Sequence, residues 1–389
     1  MNNARVDQLD FLRGFALLTI TLNHYSWFVT RAGYAGPAIP NIRSLGFSDS
    51  APIFFITLGF LIGIIYCAAT RPPDLIKVSA TLFNRAVQLL AMNCVLFVIV
   101  LAMFSLAPVQ LEQIFNLHSL QSEPYHWAYE VLALGYNLPL LDILNVYILL
   151  LLVAIPFAWL VRSRPKQGMV LVAAAYVFAQ FFPHFAPRGG DLGGQGAWFF
   201  NPLAWSVFLL GGMLAGRFQL HERIRALAVA EKGGRKFVGA LVSMFLAFAF
   251  VRVLADLGEF DVPLTGKGTV QPLSLANALV TFVTLLALLF RYDRLRTWAP
   301  WRFTYATLVM VGKHSLHSFM ASVALSYGML LAWLQIGGTI GYVTIAAAGM
   351  AALIIFGAVL EVLKAARTGK LQMVRRDPVD ISAAQEVSA

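Results

Sequence analysis

Two ionisable residues near the start of the chain have a spacing that could support chemistry. Arg13 and His24 are eleven positions apart in an apolar stretch from Leu9 to about Val29. Eleven residues make close to three helical turns, so both side chains point the same way, roughly 16 Å apart along the axis. A guanidinium suits phosphate binding, and an imidazole suits proton transfer or acyl acceptance. One helix face therefore combines an anion-binding group with a candidate base or nucleophile.

The stretch that carries these residues predicts a helix that crosses a membrane, because about 20 apolar residues span a hydrocarbon core of ~30 Å. Asp10 lies in the same stretch. Ionisable side chains are costly in lipid and are tolerated where they face protein or a water-filled cavity. We therefore expect the polar face to line the protein interior, while the alternative for His24 is a plain hydrogen bond to a neighbouring helix.

The composition places the whole chain among membrane proteins. Of its 389 residues, 59% are hydrophobic and 12% are charged, about half the charged fraction of a soluble domain. We predict an all-α polytopic membrane bundle with about ten transmembrane helices in residues 1–368, followed by a disordered polar cytoplasmic tail, residues 369–389. The apolar segments cover approximately residues 9–30, 49–69, 80–107, 140–161, 168–184, 199–217, 236–257, 271–291, 304–334 and 340–364. The ninth is long enough to contain a break.

The basic residues alternate between successive connections. Of 29 Lys and Arg, 22 lie at the termini and in every second connection. The positive-inside rule then places both termini and these connections in the cytoplasm. The net charge of +10 is thus a topology signal, and no nucleic-acid partner is expected. The opposite, outer loops contain only Arg31, Arg43, Arg188 and Lys267.

Three segments begin at the outer side with an acid or an amide, namely Asp49, Asp142 and Asn201. Asp49 could cap its helix, and it could equally orient the imidazole of His24 and stabilise its charged form. The other two have aromatic neighbours. Together these residues could form a sugar-binding site at the outer surface. Alternatively, they could cap their helices within an interfacial aromatic belt.

The ninth segment contains a further polar group. Lys313 is predicted to lie within the membrane, where it must pair or face a polar cavity. His314 and His317 share a helix face, but no Cys pair and no HExxH-type spacing supplies further ligands, so no metal site is predicted. No Gly-rich nucleotide loop or GxSxG elbow occurs in the chain, and no permanently bound cofactor is expected.

These residues resemble a known family. The Arg13–His24 spacing is similar to the Arg-x10-His signature of the membrane acyltransferase-3 enzymes, and Gly46–Gly59 resembles the heparan-α-glucosaminide acetyltransferases. The surrounding motifs look more specifically like the OpgC group, which is associated with succinylation of osmoregulated periplasmic glucans. They are Asp10-Phe-Leu-Arg-Gly14, Gly46-Phe-Ser-Asp49, Asp142-Ile-Leu-Asn-Val-Tyr147, Phe200-Asn-Pro-Leu-Ala-Trp205 and Gly312-Lys-His-Ser-Leu316.

The resemblance implies a multi-pass enzyme of the bacterial inner membrane that acylates a periplasmic glucan. The acyl group, with succinyl favoured, would come from cytoplasmic acyl-CoA as co-substrate. Arg13, Asp10 and Lys313 would bind this donor. His24 would deprotonate the acceptor hydroxyl directly, with Asp49 supporting the imidazolium, and an acyl-histidine intermediate is the alternative.

Other residues are candidates for binding the acceptor or the developing oxyanion; they are Asp142, Tyr147, Asn201, Trp205 and His314. A succinyl group carries a second carboxylate, so a cation such as Lys313 or Arg43 is expected near His24. Without one, acetyl transfer to another extracytoplasmic glycan is the better hypothesis. The alternative from another class is a transporter or flippase of an amphiphilic anion, with two bundles that rock about a central site.

Overall fold

A computed structural model describes residues 6–67, 74–106, 114, 129–135, 140–187, 198–258 and 261–367. The described residues are built from helices and their connections and contain no strand, which confirms the all-α prediction. The predicted disordered tail, residues 369–389, lies outside the described residues, as does the outer-loop cation Arg188.

The described part of the chain forms twelve α-helices of ten residues or more. They are α1 Asp7–Arg31, α2 Ala51–Ile62, α3 Leu75–Phe104, α4 Asp142–Ser163, α5 Pro165–Phe181, α6 Pro202–Arg217, α7 Leu220–Val229, α8 Gly234–Asp256, α9 Pro272–Arg291, α10 Ala299–Lys313, α11 Ser315–Ile336 and α12 Gly338–Arg367. A π-helical turn, Gly63–Cys67, extends α2.

Within the described ranges, six helices are long and apolar enough to cross a membrane: α3, α4, α8, α9, α11 and α12. The pair α6–α7, bent by 73°, gives a seventh if it forms one span. These helices indicate a multi-pass membrane protein. The count of ten spans and the cytoplasmic location of both termini stay predictions. Helix α1 has 25 residues and is not among the six, because polar residues such as Asn23 and His24 lower its mean hydropathy.

Helix α1 lies at the centre of the bundle. It packs against α2, α9, α10, α11 and α12, and Leu9, Leu12 and Leu17 on it are fully buried. Burial on several sides explains how one membrane helix holds Asp10, Arg13 and His24, because each polar group faces protein rather than lipid.

The long ninth segment is broken at His314, between α10 and α11. Helix α10 crosses the start of α1 so closely that the two backbones are in contact. A Cβ atom on Gly14 would collide with the carbonyl of Leu308, and one on Gly312 would collide with the carbonyl of Asp10. Small residues permit such close crossings between membrane helices. This crossing places the α10–α11 break beside the polar start of α1.

A second close crossing joins α2 to α6. Gly59 and Gly63 on one side meet Gly212 and Gly216 on the other, and a Cβ atom at any of the four would collide with a backbone carbonyl across the interface. The four-residue spacing on each helix is the small-xxx-small pattern of close membrane packing. The crossing holds α2 firmly, and α2 begins two residues after Asp49.

Candidate active site

A cavity of about 360 Å³ opens beside His24. We call this end of α1 the outer end, following the charge-based prediction of topology, and the other end the inner end. The polar lining combines both charge signs, and aromatic faces complete the wall. The lining includes Asn23, His24, Arg31, Arg43, Asp49, Asp142, Tyr147 and Lys267, with Trp27, Phe54, Phe55, Phe199, Phe200 and Phe319. Of the residues singled out from the sequence, His24, Asp49, Asp142, Tyr147 and Arg43 therefore meet at one place.

His24 has a ring nitrogen without a protein partner. Its Nδ1 atom is buried and makes no hydrogen bond to any described residue, and the same is true of Oδ1 of the neighbouring Asn23. Buried polar atoms are nearly always bonded, so such exceptions need an explanation. Both residues line the cavity, so two polar groups without protein partners lie next to it.

Asp49 accepts a hydrogen bond from the first amide of helix α2 and forms an ion pair in the cavity wall. Its Oδ1 accepts a hydrogen bond from the Ala51 amide at 3.0 Å, and its Oδ2 lies 3.7 Å from the ammonium of Lys267. Asp49 and Arg43 are both within electrostatic range of the imidazole of His24. Among the described residues, no hydrogen bond joins Asp49 to His24, so the carboxylate acts on the imidazole through space.

The loop that carries Asp49 is held by distant side chains. Oδ1 of Asn277, on α9, accepts hydrogen bonds from the amides of Phe47 at 3.0 Å and Ser48 at 2.9 Å. Thr19, five residues before His24 on α1, donates to the Ser50 hydroxyl at 2.5 Å. These residues did not emerge from the sequence. The available signal was a polar Asn277 inside an apolar segment.

Lys267 also did not emerge as a site residue from the sequence, although it is one of the few cations in the outer loops. It lies in the connection between α8 and α9. Burial lowers the pKa of its ammonium, while the nearby Asp49 carboxylate opposes that effect. The Lys267 side chain is 29% exposed, and a partly buried lysine with a perturbed pKa and a carboxylate partner at a cavity is a candidate functional residue.

Asp142 and Tyr147 reach the cavity from α4. Asp142 begins the helix and accepts a hydrogen bond from the amide of Ile143 at 3.0 Å. Tyr147 is 5% exposed, and its ring lies 5.4 Å from that of Phe55. The Tyr147 hydroxyl is within electrostatic range of Arg85, on α3, and of Arg13. Tyr147 thus lies between the cavity and the polar residues deeper in the bundle.

Asn201 and Trp205 do not line the cavity, and both support its wall. Oδ1 of Asn201 accepts a hydrogen bond from the Leu203 amide at 2.9 Å, which caps α6, while Nδ2 donates to the carbonyl of Pro183 at 3.1 Å. Nε1 of Trp205 donates to the carbonyl of Lys267 at 3.2 Å. The structure therefore gives these two residues a positioning role beside the cavity.

The predicted donor-binding residues gather at the inner end of α1. Arg13 is 7% exposed and Asp10 is 1% exposed; Nη1 of Arg13 lies 3.2 Å from Oδ1 of Asp10. Nη2 of Arg13 donates to the hydroxyl of Ser315, two residues after Lys313. Because Gly312 meets the carbonyl of Asp10, the neighbouring Lys313 lies at the same end of α1 as Asp10 and Arg13.

His314 belongs to this inner end and not to the outer cavity. Its Nε2 lies 2.5 Å from Oε2 of Glu361, on α12. The structure therefore does not bring this candidate oxyanion donor to His24. Along α1 the cavity lining reaches Ile20, seven residues beyond Arg13, which corresponds to about 10 Å of helix. The inner cluster and the outer cavity are separate groups joined by α1.

Comparison with known proteins gives one result. The family model described as OpgC protein matches residues 5–365, which is nearly the whole chain and includes both polar groups. No curated protein and no solved structure matches the chain. Because the match extends from the start of α1 into α12, the chain belongs to the OpgC family.

Proposed function

We propose that this protein transfers an acyl group from cytoplasmic acyl-CoA to a hydroxyl of a periplasmic glucan, with succinyl as the favoured group. Membership of the OpgC family indicates a membrane acyltransferase that modifies a glucan. The observation that carries the proposal is the position of His24, which lines a cavity together with the acids Asp49 and Asp142 and the cations Arg43 and Lys267.

In the proposed reaction the glucan hydroxyl gives its proton to His24 as its oxygen attacks the thioester carbonyl. A new C–O ester bond forms, the C–S bond breaks, and the departing CoA thiolate takes the proton back from the imidazolium. Asp49 favours the charged imidazole during this step because it lies within electrostatic range. Direct transfer needs no covalent enzyme intermediate, so labelled acyl-CoA without an acceptor should leave the protein unlabelled.

The developing oxyanion requires a hydrogen-bond donor. Among the candidates from the sequence, Tyr147 is the one that lines the cavity and carries a hydroxyl, and the amide of Asn23 is a second donor at the same wall. Asp142 and the exposed face of Phe199 supply the acceptor and apolar surface that a sugar ring uses. These features support an acceptor site at the outer mouth.

The donor would enter from the inner end. Arg13, Lys313 and Arg85 offer positive charge along the route between the inner cluster and Tyr147, and phosphate groups bind such cations through charge-assisted hydrogen bonds. The extended arm of the donor would then cover the ~10 Å of helix that separates the inner cluster from the cavity lining. Arg43, within electrostatic range of His24, supplies the cation expected for a succinyl group.

The test is the His24→Ala variant in proteoliposomes, with labelled succinyl-CoA on the predicted inner side and linear glucan on the other. General base catalysis contributes roughly a hundredfold to ten-thousandfold, so glucan labelling should fall by at least a hundredfold. His184→Ala is the matched control, because His184 is exposed near the outer end of α5 and does not line the cavity. Normal labelling by well-folded His24→Ala protein would overturn the proposal.

A further inference from the structure

Positive charge is concentrated around the outer cavity. Outer loops of a membrane protein are normally poor in Lys and Arg, yet three of the four outer-loop cations, Arg31, Arg43 and Lys267, line the cavity beside His24. The guanidinium of Arg31 lies 4.8 Å from the ring centroid of Trp27. Since topology does not require these charges, their convergence indicates an anionic ligand.

Lys267 is carried by a loop whose backbone is bonded at four successive carbonyl groups. Trp205 donates to the carbonyls of Lys267 and Gly268 at 3.2 Å. The amide of Gln180 donates to the carbonyl of Thr269 at 2.8 Å, and the hydroxyl of Tyr176 donates to that of Val270 at 3.0 Å. Helices α5 and α6 thus hold the loop in one conformation. Such preorganisation is expected of a binding group rather than of a solvated loop lysine.

The ion pair with Asp49 does not use all the hydrogen-bond donors of Lys267. Among the described residues Lys267 has one ion pair, at 3.7 Å to Asp49, which is longer than the 2.7–2.9 Å typical of a strong charge-assisted hydrogen bond. An ammonium has three donors, so donors remain for a ligand. In the described part of the chain, no acid forms an ion pair with the side chain of Arg43.

Arg43 connects this charge to the proposed reaction centre, because it lies within electrostatic range of both His24 and Lys267. An acyl group whose thioester carbon meets His24 would extend its far end toward these two cations. A neutral acyl chain would offer no charge partner to the partly exposed Lys267 or the exposed Arg43, whereas a terminal carboxylate would pair with both. An acyl group that ends in a carboxylate fits the site.

We propose that Lys267, together with Arg43, binds the distal carboxylate of a dicarboxylic acyl donor and so determines which acyl group is transferred. This inference rests on the proposed acyl transfer. Asp49 pairs with the ammonium of Lys267, and the hydrogen bonds to the loop fix the backbone from which this side chain extends. Lys267 is a specificity residue that contacts the donor's far end and takes no part in proton transfer.

The test compares succinyl-CoA with acetyl-CoA in purified wild-type and Lys267→Met protein, by kcat/KM for transfer and by calorimetric binding. A lost charge-assisted contact is worth roughly tenfold to a hundredfold. The succinyl value should therefore fall by about that factor and the acetyl value should change by less than about threefold. Lys267→Arg should retain most of the preference, and Arg43→Gln should reduce it independently.

Arg235→Gln is the control, because Arg235 is an exposed cation that does not line the cavity. Equal losses with both donors, or an unchanged ratio in Lys267→Met and Arg43→Gln, would overturn the inference. Equal losses with both donors are the result expected if Lys267 and Arg43 bind an anionic acceptor instead of the donor. Wild-type protein that transfers neither group would refute the proposed function, and the ratio of binding affinities for the two donors would then decide the role of Lys267.

Discussion

The Asp49 carboxylate lies 3.7 Å from the Lys267 ammonium, in the wall of the cavity that holds His24. The sequence predicted Asp49 as the partner of His24. The structure brings it to the same cavity, where it bonds to the first amide of α2 and pairs with a lysine more than 200 positions away. One carboxylate can therefore stabilise a charged imidazole through space and hold a specificity residue in position.

Variants of the Arg13–Asp10 pair should distinguish a role of Arg13 in folding from a role in donor binding. Arg13→Ala leaves the buried Asp10 carboxylate without this partner, and breaking a buried ion pair from one side costs roughly 3–5 kcal/mol. Arg13→Ala/Asp10→Asn removes both charges, so its thermal unfolding midpoint in detergent should recover toward wild type. The KM for acyl-CoA should stay raised in both variants. If the double variant restored the KM as well, Arg13 would be a folding residue only.

The α2–α6 crossing should tolerate no side chain at Gly212. A Cβ atom there would collide with the carbonyl of Ile56, whereas one on the adjacent Gly211 meets nothing within 4 Å. Overpacking of this kind costs roughly 1–3 kcal/mol or more. Gly212→Val should therefore lower the midpoint of thermal unfolding, and Gly211→Val should stay near wild type. Similar midpoints for the two variants would show that the close crossing is not what holds α2.

The helices and the polar face of α1 could be predicted from sequence because both are local properties. Apolar runs define the segments, and the eleven-residue spacing alone places Arg13 and His24 on one face. The support of the site is not local. Asn277 bonds to the backbone of Phe47 and Ser48 across about 230 positions, and no periodicity encodes which loop a buried amide will meet.

Lys267 shows the same limit. In sequence it is a single charge in an outer loop. Hydrogen bonds from α5 and α6 to the backbone of that loop place it at the cavity. Asn201 and Trp205 show the opposite case. From their motif they looked suited to binding the acceptor, but in the structure they support the wall of the cavity. His314 was misplaced because the break at that residue puts it at the inner end, beside Glu361.

Asn277 should control catalysis from outside the cavity. In Asn277→Ala the buried amides of Phe47 and Ser48 lose their acceptor, at roughly 1–3 kcal/mol for each unsatisfied group, and the loop that carries Asp49 loosens. We expect a lower unfolding midpoint and a lower kcat, with a smaller change in the KM for acyl-CoA. Asn93→Ala is the control, because the buried amide of Asn93 has no hydrogen-bond partner among the described residues. Equal effects in both variants would contradict the positioning role.

The charge of Lys267 should make donor selection depend on pH. Burial lowers the pKa of Lys267 below its ordinary value, with Asp49 opposing the shift and Arg43 and Arg252 adding to it. The ammonium is charged below this pKa and becomes neutral as the pH rises through it. The KM for succinyl-CoA should therefore rise at a pH below the usual range of lysine, while the KM for acetyl-CoA should not follow. Initial rates, corrected for spontaneous thioester hydrolysis, measure both.

Lys267→Arg supplies the control for this pH dependence, since a guanidinium stays charged throughout the accessible range. The alkaline rise in the KM for succinyl-CoA should disappear in that variant, while transfer of succinyl continues. Arg43 is present in both proteins, so its attraction for the carboxylate is common to both. An alkaline rise that persists in Lys267→Arg, or that appears equally with acetyl-CoA, would assign the titration to another group and remove Lys267 from donor recognition.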